Sequence, residues 1–205
     1  MTLNELTISF VGVFRTPQTM IPQLSSEFCR NIFHNPELTM SGITPVGFVV
    51  KHKLQPVPMI SISTDKFVIM AKTKDELFPY IESIKTQVPV YEFGSYGLNR
   101  DFEYLGIGQS AVDWISSRFI KERFRIGSSV NCCNRLNLMF DTGENEFLNI
   151  DIEPRVGIQD GLFLSVNHHN NCPLRGFPDR DRLQTLYDRS KQLILHKLGI
   201  LFENE

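Results

Sequence analysis

The 205-residue chain has few of the features that announce a compartment or a familiar chemistry. No window approaches the ~18 apolar residues of a membrane-spanning helix. The opening stretch "MTLNELTISFVG" has neither the charged start, the long apolar centre nor the small-residue cleavage site of a secretory signal. A cytoplasmic protein without membrane contact is the expectation. Cysteine is scarce: Cys29, Cys132, Cys133 and Cys172 show no C-x-x-C spacing, and an adjacent pair makes a poor disulfide framework, so reduced thiols are expected. There is no excess of one charge. Twenty-one basic residues face 23 acidic ones, for a net charge of −2 and a pI near 6.2. A dominant polyanion-binding surface needs clustered Lys and Arg, so that balance disfavours nucleic acid as the partner. Nor is there a Walker loop or a G-x-G-x-x-G fingerprint: "GIGQS" lacks the third glycine and the downstream acid, and no bound cofactor is expected.

What is present is an ordinary globular composition, 41% apolar and 21% charged, with enough length for one large core or two small ones. The order of elements reads as the same unit twice. "TISFVGVFR" (Thr7 to Arg15) predicts a strand, and Ile21, Leu24, Phe28 and Ile32 recur at helical spacing. Three strands follow, in "VGFVVKHKL", "MISIS" and "KFVIMAK". A helix comes next, with Leu77, Ile81, Ile84 and Val88 on one face. Thr73 and Glu76 resemble a capping box, but Pro79 argues for a regular start near Leu77. The second half offers a strand over "FEYLGIGQS", then a helix over "AVDWISSRFIKERF" capped by Ser110 and Asp113. Strands "NRLNLMFDT", "EFLNIDIEP" and "GLFLSVNHH" follow, and a long helix striped by Leu183, Leu186, Tyr187, Ile194, Leu198 and Leu201 ends the chain.

Both halves read β-α-β-β-β-α, an α+β pattern of antiparallel sheets with helices on one face. Phe10-Val11-Gly12-Val13 in one unit corresponds to Tyr104-Leu105-Gly106-Ile107 in the other. The stretch Thr86 to Glu103, with Pro89, Gly94 and Gly97, reads as a linker, "VYEF" adding a further strand within it, and divides the chain into units 1–94 and 95–205 that together form two domains or one compact one. In a duplicated scaffold of this kind the bare sheet face is the natural binding surface.

The segments "VGVFRTP…LSSEF", "ISTDKFVIMAKTKDELFPYIESI", "YGLNRDFEY" and "FLNIDIEP…DRLQTLYDRSKQLILHKL" resemble a sporadically distributed, functionally uncharacterised family of prokaryotic α+β proteins. That resemblance implies the architecture and brings no catalytic residues with it. The two-repeat topology is also similar to the saddle of the TATA-binding protein, which grips the DNA minor groove. A saddle needs Arg, Lys and wedge phenylalanines on its open face. Here Lys51, Lys53, Lys66, Lys72 and Arg135 are opposed by Asp141, Asp151 and Glu153.

The densest chemistry is "SVNHHNNCP", Ser165 to Pro173. His168, His169 and Cys172, with Cys132 and Cys133, hold the right atoms for zinc, but neighbours on a strand face opposite sides and do not reach one ion, so no metal is expected. Cys172 with a histidine and an asparagine has the residue types of a thiol catalyst without a family signature. Asp151 and Glu153, two apart on a strand, share a face and suit either Mg²⁺ and acid–base work or a solvated surface. Cys29 reads as core, His196 as the outer side of the last helix, and His34 as a helix-end cation. Arg118, Lys121, Arg123 and Arg125, interleaved with Phe119 and Phe124, read as a solvated basic helix face. Without a coherent catalytic constellation, the expectation is a non-catalytic interaction protein that binds a partner protein or itself. A hydrolase or nuclease using Asp151, Glu153, His168 and His169, and a nucleic-acid saddle, stand as alternatives.

Overall fold

The computed structural model describes residues 2–18, 38–44, 47–52, 54–86, 90–119, 135–143 and 145–202. The expected first helix with Cys29 and His34, the basic stretch after Phe119 and the Cys132-Cys133 pair lie outside them. Among the described residues ten strands and three helices run in the order β1 (Thr2–Phe14), β2 (Leu38–Thr44), β3 (Gly47–His52), β4 (Met59–Ser63), β5 (Lys66–Ala71), α1 (Lys74–Lys85), β6 (Glu92–Leu105), α2 (Ala111–Phe119), β7 (Leu136–Gly143), β8 (Glu146–Pro154), β9 (Gly161–Asn170), β10 (Leu174–Arg175) and α3 (Arg180–Phe202). The fold is α+β.

One open antiparallel sheet takes the strand order β2-β3-β4-β5-β1-β6-β9-β8-β7, with the short β10 pairing the start of β6. β1 and β6 occupy the middle and pair from Thr2↔Leu105 to Phe14↔Phe93. The side chains alternate cleanly. On one face Ile8 and Phe10 of β1, Ile60 and Ile62 of β4 and Phe67 and Ile69 of β5 pack with Leu77, Phe78, Ile81 and Ile84 of α1. Further along the same face Leu148, Ile150 and Ile152 of β8 and Leu162, Leu164 and Val166 of β9 pack with Trp114 and Ile115 of α2. The long α3 serves both clusters, giving Leu183, Leu186 and Tyr187 to the first and Ile194 and Leu198 to the second. A stripe that continues for so many turns is what lets one helix lie across both halves of the sheet.

Three features depart from the periodicity. β2 stands ahead of the expected three-stranded meander, making four consecutive strands there. α1 begins at Lys74, not near Leu77, and keeps Pro79 inside. Pro79 is solvent-exposed, so water takes up the carbonyl whose helical partner it removes. Thr73 makes no side-chain cap; Glu76 reaches back instead to accept from the Lys72 N–H at 3.1 Å. The third departure is the largest: most of the expected linker is strand β6, and residue 95 lies within it.

Glycine explains the misreading. A Cβ on Gly97 would lie 2.2 Å from the His168 carbonyl oxygen and one on Gly94 would lie 3.3 Å from the Arg15 Cα, so both mark close backbone approach within the sheet rather than turns. Gly12 and Gly106, which correspond in the two-repeat pattern, sit differently: Gly12 makes room for the Phe93 ring in mid-strand, whereas Gly106 adopts φ +78° beyond the end of β6. Ser110 does cap α2, accepting from the Asp113 N–H at 3.2 Å. Gly97→Ala should therefore lower unfolding free energy by about 3 kcal/mol in urea titrations, because the obstructing atom is backbone and cannot swing aside.

Candidate functional site

The "SVNHHN" run continues β9 through Asn170, so alternation decides where its side chains go. His168 lies on the helix-covered face, between Leu98 of β6 and Leu148 of β8, and is only 2% exposed. His169 lies on the other face, opposite Gly97 and Phe147.

His168 has company that the sequence did not indicate. The β7–β8 hairpin turns through Asn145, whose positive φ of 64° suits an asparagine, and this places Glu146 at the head of β8 beside the end of β9. Its carboxylate oxygen Oε2 is 3.5 Å from His168 Nε2 and 2.9 Å from Arg189 Nη2 of α3, and Asn170 Nδ2 donates to Oε1 at 3.4 Å. Glu146 is buried, while the Arg189 side chain is half exposed and closes the cluster toward solvent. Neither nitrogen of His168 forms an aligned hydrogen bond among the described residues, so the contact with Glu146 is electrostatic. Burial is the largest influence on the imidazole and pushes its pKa below 6.5, outweighing the opposing pull of Glu146; Arg189 and His169 add to the depression. His168 is thus held as a neutral ring in a close-packed layer. The cluster has a base and a carboxylate, both buried beneath α3.

The remaining candidates divide between places. Asp151 is on the open face, where Arg135 Nη2 lies 3.1 Å away and Asn137 Nδ2 donates at 2.8 Å. The hydrogen bond from Arg135, helped by that from Asn137, holds its carboxyl below the usual carboxylate range. Glu153 is opposite Phe163 on the same face. His169 shares this face too, but it is in register with Phe147, four residues along β8 from Asp151, or roughly 13 Å. Cys172 is half-buried, and its N–H donates to Asn170 Oδ1 at 2.9 Å. The structure therefore brings His168 to Glu146, links the Cys172 backbone to them through Asn170, and leaves Asp151, Glu153 and His169 apart. Among the described residues no three of His, Cys, Asp and Glu come together as a metal site.

The open face has an order of its own. Asn99 of β6, Asn167 of β9 and Asn149 of β8 stand in register as one cross-strand row, and the next row is Asp101, Ser165 and Asp151. Thr7 donates to Asp101 at 2.8 Å, while Glu103 accepts from Asn4 at 3.3 Å and from Arg155 at 3.5 Å. Asp101, Glu103 and Asp151 are thus partnered. In contrast, Asn99 Oδ1 and Asn149 Oδ1 are buried and have no hydrogen-bond partner among the described residues, while Asn167 between them is exposed. The row could have been sought in the sequence only with the register known, since its members come from segments that the linker expectation kept apart.

A shallow cavity of about 460 Å³ lies at the start of α2, lined by Ser110, Ala111, Pro154, Arg155, Gly157 and Gln159. The Ala111 N–H there donates to the Gln159 carbonyl at 2.9 Å and the Asp113 N–H to Ser110, so two first-turn donors are already used. No helix among the described residues is long and apolar enough to cross a membrane.

A histidine whose folded pKa lies below its unfolded value is protonated more readily when unfolded, so its contribution is present above about pH 6.5 and is lost as pH falls from there through the lower folded value. His168→Leu, which keeps the site filled between Leu98 and Leu148, should flatten the fall in melting temperature on acidification from about pH 7 to 5. An unchanged slope would show that other groups set it.

Comparison with known protein-family models and with curated proteins yields no match to the chain.

Proposed function

We propose that the protein is a non-catalytic binding scaffold that holds a partner protein on its open sheet face. The row Asn99-Asn167-Asn149 carries this reading, because it spans three adjacent strands on the face away from the helices and its central member, Asn167, is exposed. The Asn167 amide offers both a donor and an acceptor to a polar protein surface laid across these strands. Asp101, Asp151 and Glu103 are already matched by Thr7, Asn137, Arg135 and Arg155, leaving the exposed Asn167 amide as a group with hydrogen-bonding capacity to give.

The same reading takes the two halves as duplicated units. Its support is the arrangement about the centre: β1 is flanked by β5, the last strand of its own meander, and β6 by β9, the last of its own. Each half then ends in a helix, α1 or α3.

The hydrolase or nuclease alternative has less in its favour, since it needs Asp151, Glu153, His168 and His169 at one point and His168 lies beneath the helices. A nucleic-acid saddle has to accommodate Asp101, Glu103, Asp151 and Glu153 on the binding face.

Affinity purification with the full chain as bait tests the proposal. A protein retained in stoichiometric amount by the wild type should fall at least about tenfold with Asn167→Arg, equivalent to a loss of ~1.4 kcal/mol. The same protein should be retained with His196→Ala, on the outer side of α3. Equal retention by the open-face variant, co-purifying nucleic acid in place of protein, or metal-dependent hydrolysis by the purified chain would each count against it.

A further inference from the structure

β7 ends the strand order among the described residues, so its outward backbone N–H and C=O groups have no strand partner there. Leu136–Gly143 contains neither proline nor lysine to blunt such an edge, and its one charge and its bulge are confined to the Asp141–Gly143 end. It exposes a large apolar side chain instead, Met139 at 74%. Its even positions face the core, where Leu136, Leu138 and Phe140 are only partly covered at the rim of the second cluster. Lys197 of α3 extends over the Phe140 ring, with Nζ 5.2 Å from its centre.

The order of residues along this strand says what fits it. In antiparallel pairing, opposite residues point to the same face, so two identical strands can pair only about an axis through a residue, never between two. An axis at Leu138 would set Asn137 against Met139, and one at Phe140 would set Met139 against Asp141; both put a polar group on the exposed methionine. An axis at Met139 sets Met139 against Met139, Leu138 against Phe140 twice and Asn137 against Asp141 twice. The apolar pairs extend the core layer under the helices. The amide–carboxylate pairs fall on the open face, and Asn137 has a second amide hydrogen beyond the one it gives Asp151. A two-fold axis perpendicular to the sheet keeps the helix layers of both copies on one side.

We propose that two copies of this chain pair their β7 strands antiparallel about a two-fold axis at Met139, joining two sheets into one continuous sheet. The occupant is a second copy because the strand is complementary to itself, as an isologous interface requires.

Sedimentation or light scattering of the full chain tests this. The wild type should have twice the 23.6 kDa chain mass. Met139→Lys and Met139→Glu place like charges directly opposite one another across the axis and should each shift the species to a single-chain mass at the same concentration. The position is largely exposed, so far-UV circular dichroism should be unchanged in both. An equimolar mixture of the two variants should return to the two-chain mass. A single-chain wild type, a Met139→Lys variant that keeps the two-chain mass, or a mixture that stays single-chain would overturn the proposal.

Discussion

Everything else in the molecule hangs on the antiparallel pairing of β1 with β6. These two strands are the longest in the sheet, and all the other strands are built outward from them, β5 to β2 on one side and β9 to β7 on the other. Register between strands so far apart in sequence is set by what they bury. Ile8 opposes Arg100 and Phe10 opposes Leu98 on the helix side. Arg100, 2% exposed, is held by Glu5 through its Nε at 2.5 Å and its Nη2 at 3.0 Å, with the Tyr187 ring of α3 4.4 Å from its guanidinium carbon. A slip of one residue would turn Arg100 to the open face and leave Glu5 unmatched, so the pair acts as a register lock more than as a source of net stability.

The polar groups beneath α3 follow one logic. Arg182 bonds to the Tyr96 hydroxyl, Tyr187 donates to Glu5 at 3.2 Å, and Arg189 meets Glu146. Each contact joins one helix to a different strand, β6, β1 and β8 in turn, while Leu183, Leu186, Ile194 and Leu198 supply apolar contact between them. Burial of apolar area does not care about rotation or sliding of a helix on a sheet, whereas these contacts do. They fix where α3 lies. His168 belongs to this layer, which is why a histidine in the most suggestive stretch of the chain is a packed neutral ring.

Element types were largely legible in the sequence because alternation and helical spacing are strong along β5, β8, β9, α1 and α3. The α3 stripe identified five of its buried residues before any contact was known, and the opposite orientation of His168 and His169 followed from strand geometry alone. Two signals misled. Gly94 and Gly97 have the composition of a turn, and only the approach of the Arg15 and His168 backbones reveals them as strand residues. Pro79 looked like a helix boundary, because exposure, which makes it tolerable, is not written in local sequence. The candidate site was less legible still. Glu146, Arg189 and the asparagine row become neighbours only through pairing register and helix placement, both of which are properties of the assembled sheet.

The central position of β1 also bears on how the chain comes into being. β2 to β5 are joined by short hairpins and can zip locally, and β7 to β9 likewise, but β1 is made first and needs a partner from the second half of the chain. During synthesis the first half therefore leaves the ribosome as a sheet fragment whose innermost strand has a naked hydrogen-bonding edge and whose apolar face lacks the cover of α3, which follows every strand in the order. For this topology the vulnerable moment is the interval before β6 arrives, when a nascent chain can be captured by another copy or by a chaperone.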